Sequence, residues 1–305
     1  MTRARILADY VSSGDELALK APLASPAFTG TPTGVHLARN GDLSIAWASN
    51  TTIDIDADIL TLYNSSNVGV IVGTSGVASS INLTLNEAND TSGSGSNGVL
   101  GLDTGSFANS TWYHLYVIYN GSAVSCVASL AQNWISTTND GSAGTTKGVD
   151  KTNISGYTYG KYVGAVYRNG SGNFDSFWQK GNDVQIPNVT ASETTLTTTW
   201  ATRDLSAFVP STAQKANGEL RSVVSTYFTL NIMIASYGTG STYQNGHDQT
   251  IVYFYGSSTN HGSLQIAGPY SVRLHFPQTV YVRSAYSTIG SSMVTVAGWS
   301  YSNIV

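Results

Sequence analysis

Two hydrophobic periods divide this chain. Residues 2–13 place Ile6, Leu7, Tyr10 and Val11 at i, i+1, i+4 and i+5, which gathers them on one helical face behind Thr2 as a cap. A short N-terminal helix is predicted, and a helix of that length is marginal alone in water, so its apolar face calls for a docking surface. Between Ala21 and Thr33, Pro22, Pro26 and Pro32 fix φ, remove three N–H donors and push each preceding residue out of the α region. That run predicts an extended Pro-rich connector. From Gly34 onward the period falls to two.

Val35 and Leu37, then Leu43, Ile45 and Trp47, flank Asn40-Gly41, a pair suited to the positive φ values of a type I′ hairpin. Strands are further predicted at Ile53–Tyr63, Val68–Val72, Ser80–Leu85, Trp112–Asn120, Val124–Leu130, Tyr159–Arg168 and Phe174–Gln179, separated by Gly/Ser/Asn/Asp clusters. Near Ile186-Pro187 the pattern pauses, and a Thr/Ser-rich stretch follows before strands resume at Leu196–Trp200 and run on to Met293–Tyr301. The expected organisation is therefore all-β. It has an attachment segment over residues 1–34, a first β module over 35–190 and a C-terminal β-sandwich module over 191–305, both modules jelly-roll-like.

Composition narrows the class. Only 10% of the 305 residues are charged, against about a quarter in ordinary soluble domains, and Ser, Thr, Asn, Gly and 18 tyrosines fill the gap. This is the profile of an extracellular or virion β protein. A net charge of −4 offers no basic surface for tracking phosphates, so no nucleic-acid partner is expected. Apolar runs such as Val68–Val72 are far too short for a bilayer, and Met1–Arg5 leads into no signal-peptide core. No membrane insertion is expected. Cys126 is the single cysteine and, among Ala123, Val124, Val127 and Ala128, reads as a small core hydrophobe.

Candidate chemistry is sparse. Asp54, Asp56 and Asp58 alternate with Ile53, Ile55 and Ala57, which reads as an amphipathic strand with a solvated acidic face and, alternatively, as a cation site. An EF-hand loop would need Gly where Ile59 stands and Glu where Val70 stands. Gly93–Gly98 spells G-x-G-x-x-G without the strand and helix that a dinucleotide requires. His36, His114, His247, His261 and His275 lack metal-site spacing, and the acids of the later half are too scattered to pair across a glycosidase cleft. No enzyme activity, catalytic residue, metal or cofactor is expected.

Gly101–Ser106 followed by Thr111–Asn120 forms a signature that resembles β modules of tailed-bacteriophage tail fibres and related virion appendages. The resemblance extends through Ser155–Tyr159, Val163–Val166, Asn173-Phe174 and Phe177–Gly181, with Ala57–Asn64 upstream and Asp204–Pro210 downstream. It covers about half the chain and departs from the pattern at the insert Asn133–Asn153. The resemblance implies a virion protein made in the host cytoplasm, a tail fibre or receptor-binding appendage that mediates host adhesion. A homotrimer is expected, joined to other virion proteins through residues 1–34 and facing a host surface glycan or protein. The alternative is a non-adhesive structural component such as a head fibre, capsid decoration or baseplate protein. For adhesion, the residues themselves point to the Gly-rich loops Tyr237–His247 and Ser257–His261. There Tyr243, Gln244, Asn245, His247, Asn260 and His261 combine rings with amides suited to sugar faces and edges.

Overall fold

Alternation becomes pairing in a way the sequence only half predicts. The computed structural model describes residues 42–73, 81–89, 98–134, 148–195, 197–224, 230–239, 246–247, 250–254, 264–284 and 291–302. The segments expected to form an N-terminal helix and a Pro-rich connector lie outside them. The first strands are β1 (Ser44–Ser49), β2 (Thr52–Ala57), β3 (Ile59–Tyr63), β4 (Gly69–Gly73), β5 (Ile81–Asn86), β6 (Thr111–Tyr119) and β7 (Val124–Ser129). Then come β8 (Tyr159–Arg168), β9 (Trp178–Lys180), β10 (Asp183–Thr195), β11 (Ala201–Asp204), β12 (Lys215–Val224) and β13 (Leu230–Ala235). The last are β14 (Tyr237–Gly238), β15 (Gly246–His247), β16 (Thr250–Phe254), β17 (Leu264–Arg273), β18 (Thr279–Ser284) and β19 (Ser291–Ser300). One 3₁₀ turn, Glu87–Asn89, is the sole helical element among the described residues. The protein is all-β.

An eight-stranded sheet runs β17-β12-β19-β10-β9-β1-β2-β5, beside a five-stranded sheet β4-β3-β8-β6-β7 and a four-stranded sheet β11-β18-β13-β16. A single buried cluster joins Ile45, Ile53, Ile55 and Leu85 of the large sheet to Leu60, Leu115 and Val117 of the five-stranded sheet and to Ile232, Ile234, Val280 and Val282 of the four-stranded one. All eleven are fully buried, and each such side chain contributes roughly 1.5–3 kcal/mol. The described residues all belong to one compact unit, Ala38–Val305.

The expected module boundary at 190/191 falls inside β10. That strand pairs with β9 on one edge and β19 on the other, so the large sheet draws strands from both expected modules. The pause at Ile186-Pro187 is a bulge: the β10–β19 register shifts between Gln185 and Val189. Proline has no N–H to donate, so it sits where the ladder is interrupted, and the strand then continues.

One further reading differs locally. The stretch Ile53–Tyr63 is two strands that enter different sheets, broken by a bend at Asp58. Ile53, Ile55 and Ala57 are buried, Asp54 accepts a hydrogen bond from Thr84 Oγ1 at 2.7 Å, and Asp58 leaves the row. Among the described residues no group of three potential ligands is placed to hold a metal ion. The hairpin expected at Asn40-Gly41 lies outside the described residues; Ser44–Ala46 pair with β2 on one side and β9 on the other. Strand β6 meets β8 with one irregularity: Leu115 faces Gly164 and Tyr116 faces Tyr162, so the extra residue is Val163 of β8. Its freed carbonyl accepts a 2.7 Å bond from the Gln179 amide, which is fully buried.

The outer face of the five-stranded sheet carries a second buried cluster, Tyr116, Ile118, Val127, Trp134, Val149 and Ile154. Asp103 ties this cover down. Its carboxylate accepts from Ser129 Oγ at 2.7 Å and from the Asp150 amide at 2.8 Å, and its carbonyl accepts from Asn153 Nδ2 at 2.9 Å. The insert Asn133–Asn153 is closed at its base by the Asn133–Gly148 bridge. Cys126 is fully buried, which pushes its thiol up to about 12 and leaves it inert.

Candidate functional site

Where the five-stranded sheet meets the segments 211–214 and 301–302, the surface opens into a cleft of about 640 Å³. One wall begins at Tyr63, the last residue of β3, which pairs with Gly69 and Gly160. The β3–β4 turn is closed by Asn64, whose side-chain oxygen accepts from the Ser66 and Val68 amides at 3.0 and 2.9 Å. It sets Asn67 at φ 57, a left-handed conformation asparagine tolerates, at the cleft edge.

The floor is aromatic. The Trp134 indole packs on the backbone of Gly160, where an added Cβ would lie 2.2 Å from the ring, and the Lys151 ammonium sits 4.6 Å from the ring centroid. Tyr162 stands edge-on to Tyr301 with centroids 5.8 Å apart, and its hydroxyl shares a 2.7 Å hydrogen bond with Thr212. Burial pushes the Tyr162 phenol well above its ordinary value and that of Tyr301 to about 12, so both stay protonated at any physiological pH. Gln132 bridges the two walls by donating from Nε2 to Ser211 Oγ at 2.6 Å. Asn133, Gln214 and Ser302 add further polar groups to the lining.

Lys161 is the single charged residue of that lining among the described residues. Burial lowers its ammonium to about 8, and no carboxylate pairs with it among the described residues. Chemically the cleft offers ring surfaces, amides and hydroxyls able to donate and accept, and one desolvated cation. Among the described residues its lining contains neither a pair of carboxylates nor a nucleophile beside a base.

Of the residues singled out in sequence, Tyr243, Gln244, Asn245, Asn260 and His261 lie outside the described residues. His247 is placed: its backbone pairs with Tyr237 in the two-stranded β14–β15 ladder. Tyr237 belongs to a surface group of rings with His275, Phe276 and Tyr281, in which Tyr237 and Tyr281 are 5.5 Å apart and His275 and Phe276 4.7 Å apart. His114 is no site residue. It is 3% exposed in β6, and burial holds its imidazole down to about 4.

The cleft residues escape sequence reading because they come from five separate segments, partly on β3 and β8 and partly in the connections between strands. Lys161, a charge set among the neutral residues Tyr159, Gly160 and Tyr162–Tyr167 of β8, is the one signal in the sequence. No known protein-family model matches the chain, and no curated protein is significantly similar to it.

Proposed function

We propose that this protein is a virion surface appendage of a tailed bacteriophage whose β body binds a host glycan without transforming it. The observation that carries the reading is the cleft itself, where Tyr63 and the edges of Tyr162 and Tyr301 stand beside Asn67, Gln132, Asn133, Gln214, Thr212 and Ser302. Rings cover the apolar faces of sugars, and amides and hydroxyls exchange hydrogen bonds with sugar hydroxyls. An open, wet cleft of this kind gives weak single contacts. Several copies, gathered as a trimer through the attachment segment 1–34, would convert them to avidity.

The charge-poor, Tyr-rich all-β body supports the same reading. The test is a glycan array probed with the full chain, followed by Tyr63→Ala combined with Gln214→Ala. Binding to a defined glycan that the double variant loses, at an unchanged melting temperature, is the expected result. An array without signal, together with a place on the capsid or baseplate in labelled particles, would replace adhesion by a structural role. Release of reducing ends would replace it by catalysis.

A further inference from the structure

A second cleft of about 650 Å³ continues from the first, and the two share Gln214, Tyr301 and Ser302 as a common wall. Its lining includes Asp183, Ser300, Lys215 and Arg273, which stand directly across neighbouring strands β10, β19, β12 and β17. Lys215 therefore faces Arg273 as a cross-strand pair, an arrangement of like charges that costs stability in a sheet. Neither takes part in an ion pair among the described residues, and both are exposed. Among the described residues Asp183 is the one carboxylate lining either cleft, against Lys161, Lys215 and Arg273, and His275 also lines the second.

This concentration is unexpected in a chain with net charge −4 and only 14 basic residues. Two directly opposed cations and a third, half-buried one with no carboxylate partner among the described residues are arranged for a bound anion, because an anion is what would offset both the repulsion and the desolvation. A single small anion could not reach both clefts, whereas a chain of linked sugars can follow the shared wall.

Resting on the glycan-binding reading, we propose that the ligand is an acidic polysaccharide lying along both clefts, with its acid groups against Lys161 in the first and against Lys215 and Arg273 in the second. Neutral sugar faces between the charges meet the aromatic floor. The net negative charge of the protein disfavours a long nucleic acid, whose phosphates would meet repulsion beyond the groove.

The experiment uses the full chain and a panel of carboxylate-bearing polysaccharides, each beside its carboxyl-reduced, neutral form, with single-stranded DNA as a further polyanion. The expected result is tighter binding of at least one acidic polymer than of its reduced form by about tenfold or more, the equivalent of one charge-assisted hydrogen bond. That preference should shrink in Lys215→Gln with Arg273→Gln, exposed positions whose change leaves the fold intact, and again in Lys161→Gln. Equal binding of acidic and reduced forms overturns the inference and leaves glycan binding standing. DNA binding as tight as the best acidic glycan overturns it in favour of unspecific polyanion attraction. Binding of no glycan at all removes the underlying reading as well.

Discussion

Two buried titratable groups, His114 and Asp103, should give this protein a concealed balance in its acid stability. Each is 3% exposed, and the two are connected through Ser129, which faces His114 across β6 and β7 and donates to the Asp103 carboxylate. The Nδ1 atom of His114 is buried without a hydrogen-bond partner among the described residues, and burial lowers its imidazole from 6.5 to about 4. Burial raises Asp103 from 3.8 to about 6, partly opposed by the bonds from Ser129 and Asp150. The signs are opposite. A depressed histidine contributes stability that is present above 6.5 and lost as pH falls toward 4, because only the unfolded chain takes up the proton. A raised aspartate contributes stability that is present below 3.8 and lost as pH rises through 6, because the folded chain takes up the proton first.

Between neutral pH and about pH 4.5 the histidine costs roughly 2–3 kcal/mol and the aspartate returns about 2 kcal/mol, so the two nearly cancel in the native sequence. His114→Phe should unmask the aspartate, gaining about 2 kcal/mol of stability on acidification relative to the native chain. Asp103→Asn should unmask the histidine and lose about as much. Urea unfolding followed by tryptophan fluorescence at both pH values gives the comparison, and taking each variant against itself removes the change in packing. Identical pH dependence in all three proteins would refute the reasoning, since it would mean that neither group differs in proton affinity between folded and unfolded chains.

Gly160→Ala would drive a methyl group into the Trp134 ring, 2.2 Å away, and should cost about 1–3 kcal/mol while weakening glycan binding; thermal melts and the array read the two effects separately. Gln179→Leu strips the carbonyls of Val163 and Gly181 of their donor, at 2.7 and 2.9 Å, and should destabilise by roughly 2–4 kcal/mol in urea unfolding. Separate expression of 38–190 and 191–305 should yield insoluble fragments, because the cut severs β10 within the large sheet; two soluble fragments with cooperative melts would show that the shared sheet is dispensable.

Local pattern revealed most of the strands and little of their company. The alternation of Ile53 and Ile55 with Asp54 and Asp56 fixes which face is buried, whatever the partner strand. Partnership, in contrast, depends on contacts far apart in sequence. Nothing near Trp178 announces that its short strand fills the place between β1 and β10. Proline at 187 was legible as an interruption, but an interruption in a ladder and the end of a domain look alike until the register on both sides is known. The site was less legible still. A search for rings and amides close together in Gly-rich loops finds Tyr243 to Asn245, whereas the cleft assembles Tyr63, Gln132, Tyr162, Gln214 and Tyr301 only through folding.

The shared sheet and the cleft are two aspects of one arrangement. Tyr63, Trp134 and Tyr162 precede β10 in the chain, whereas Thr212, Gln214, Tyr301 and Ser302 follow it, so each wall of the cleft belongs to a different half of the sequence. Were the halves separate domains, such a cleft would vary in width with their relative motion. Here the Tyr301 amide donates to the Asn182 carbonyl at 2.9 Å and the Gln214 amide to the Ser300 carbonyl at 2.9 Å, fastening the second wall to β10 and β19. On the other side the Trp112 indole donates to the Ser206 carbonyl at 2.7 Å, and Gln132 reaches Ser211 across the cleft. A site whose polar groups are held by backbone ladders loses little conformational entropy when a ligand arrives, which favours the weak, repeated contacts on which multivalent adhesion depends. Continuity of β10 through Pro187 thus does more than close a sheet: it fixes the spacing of the groups that would read the glycan.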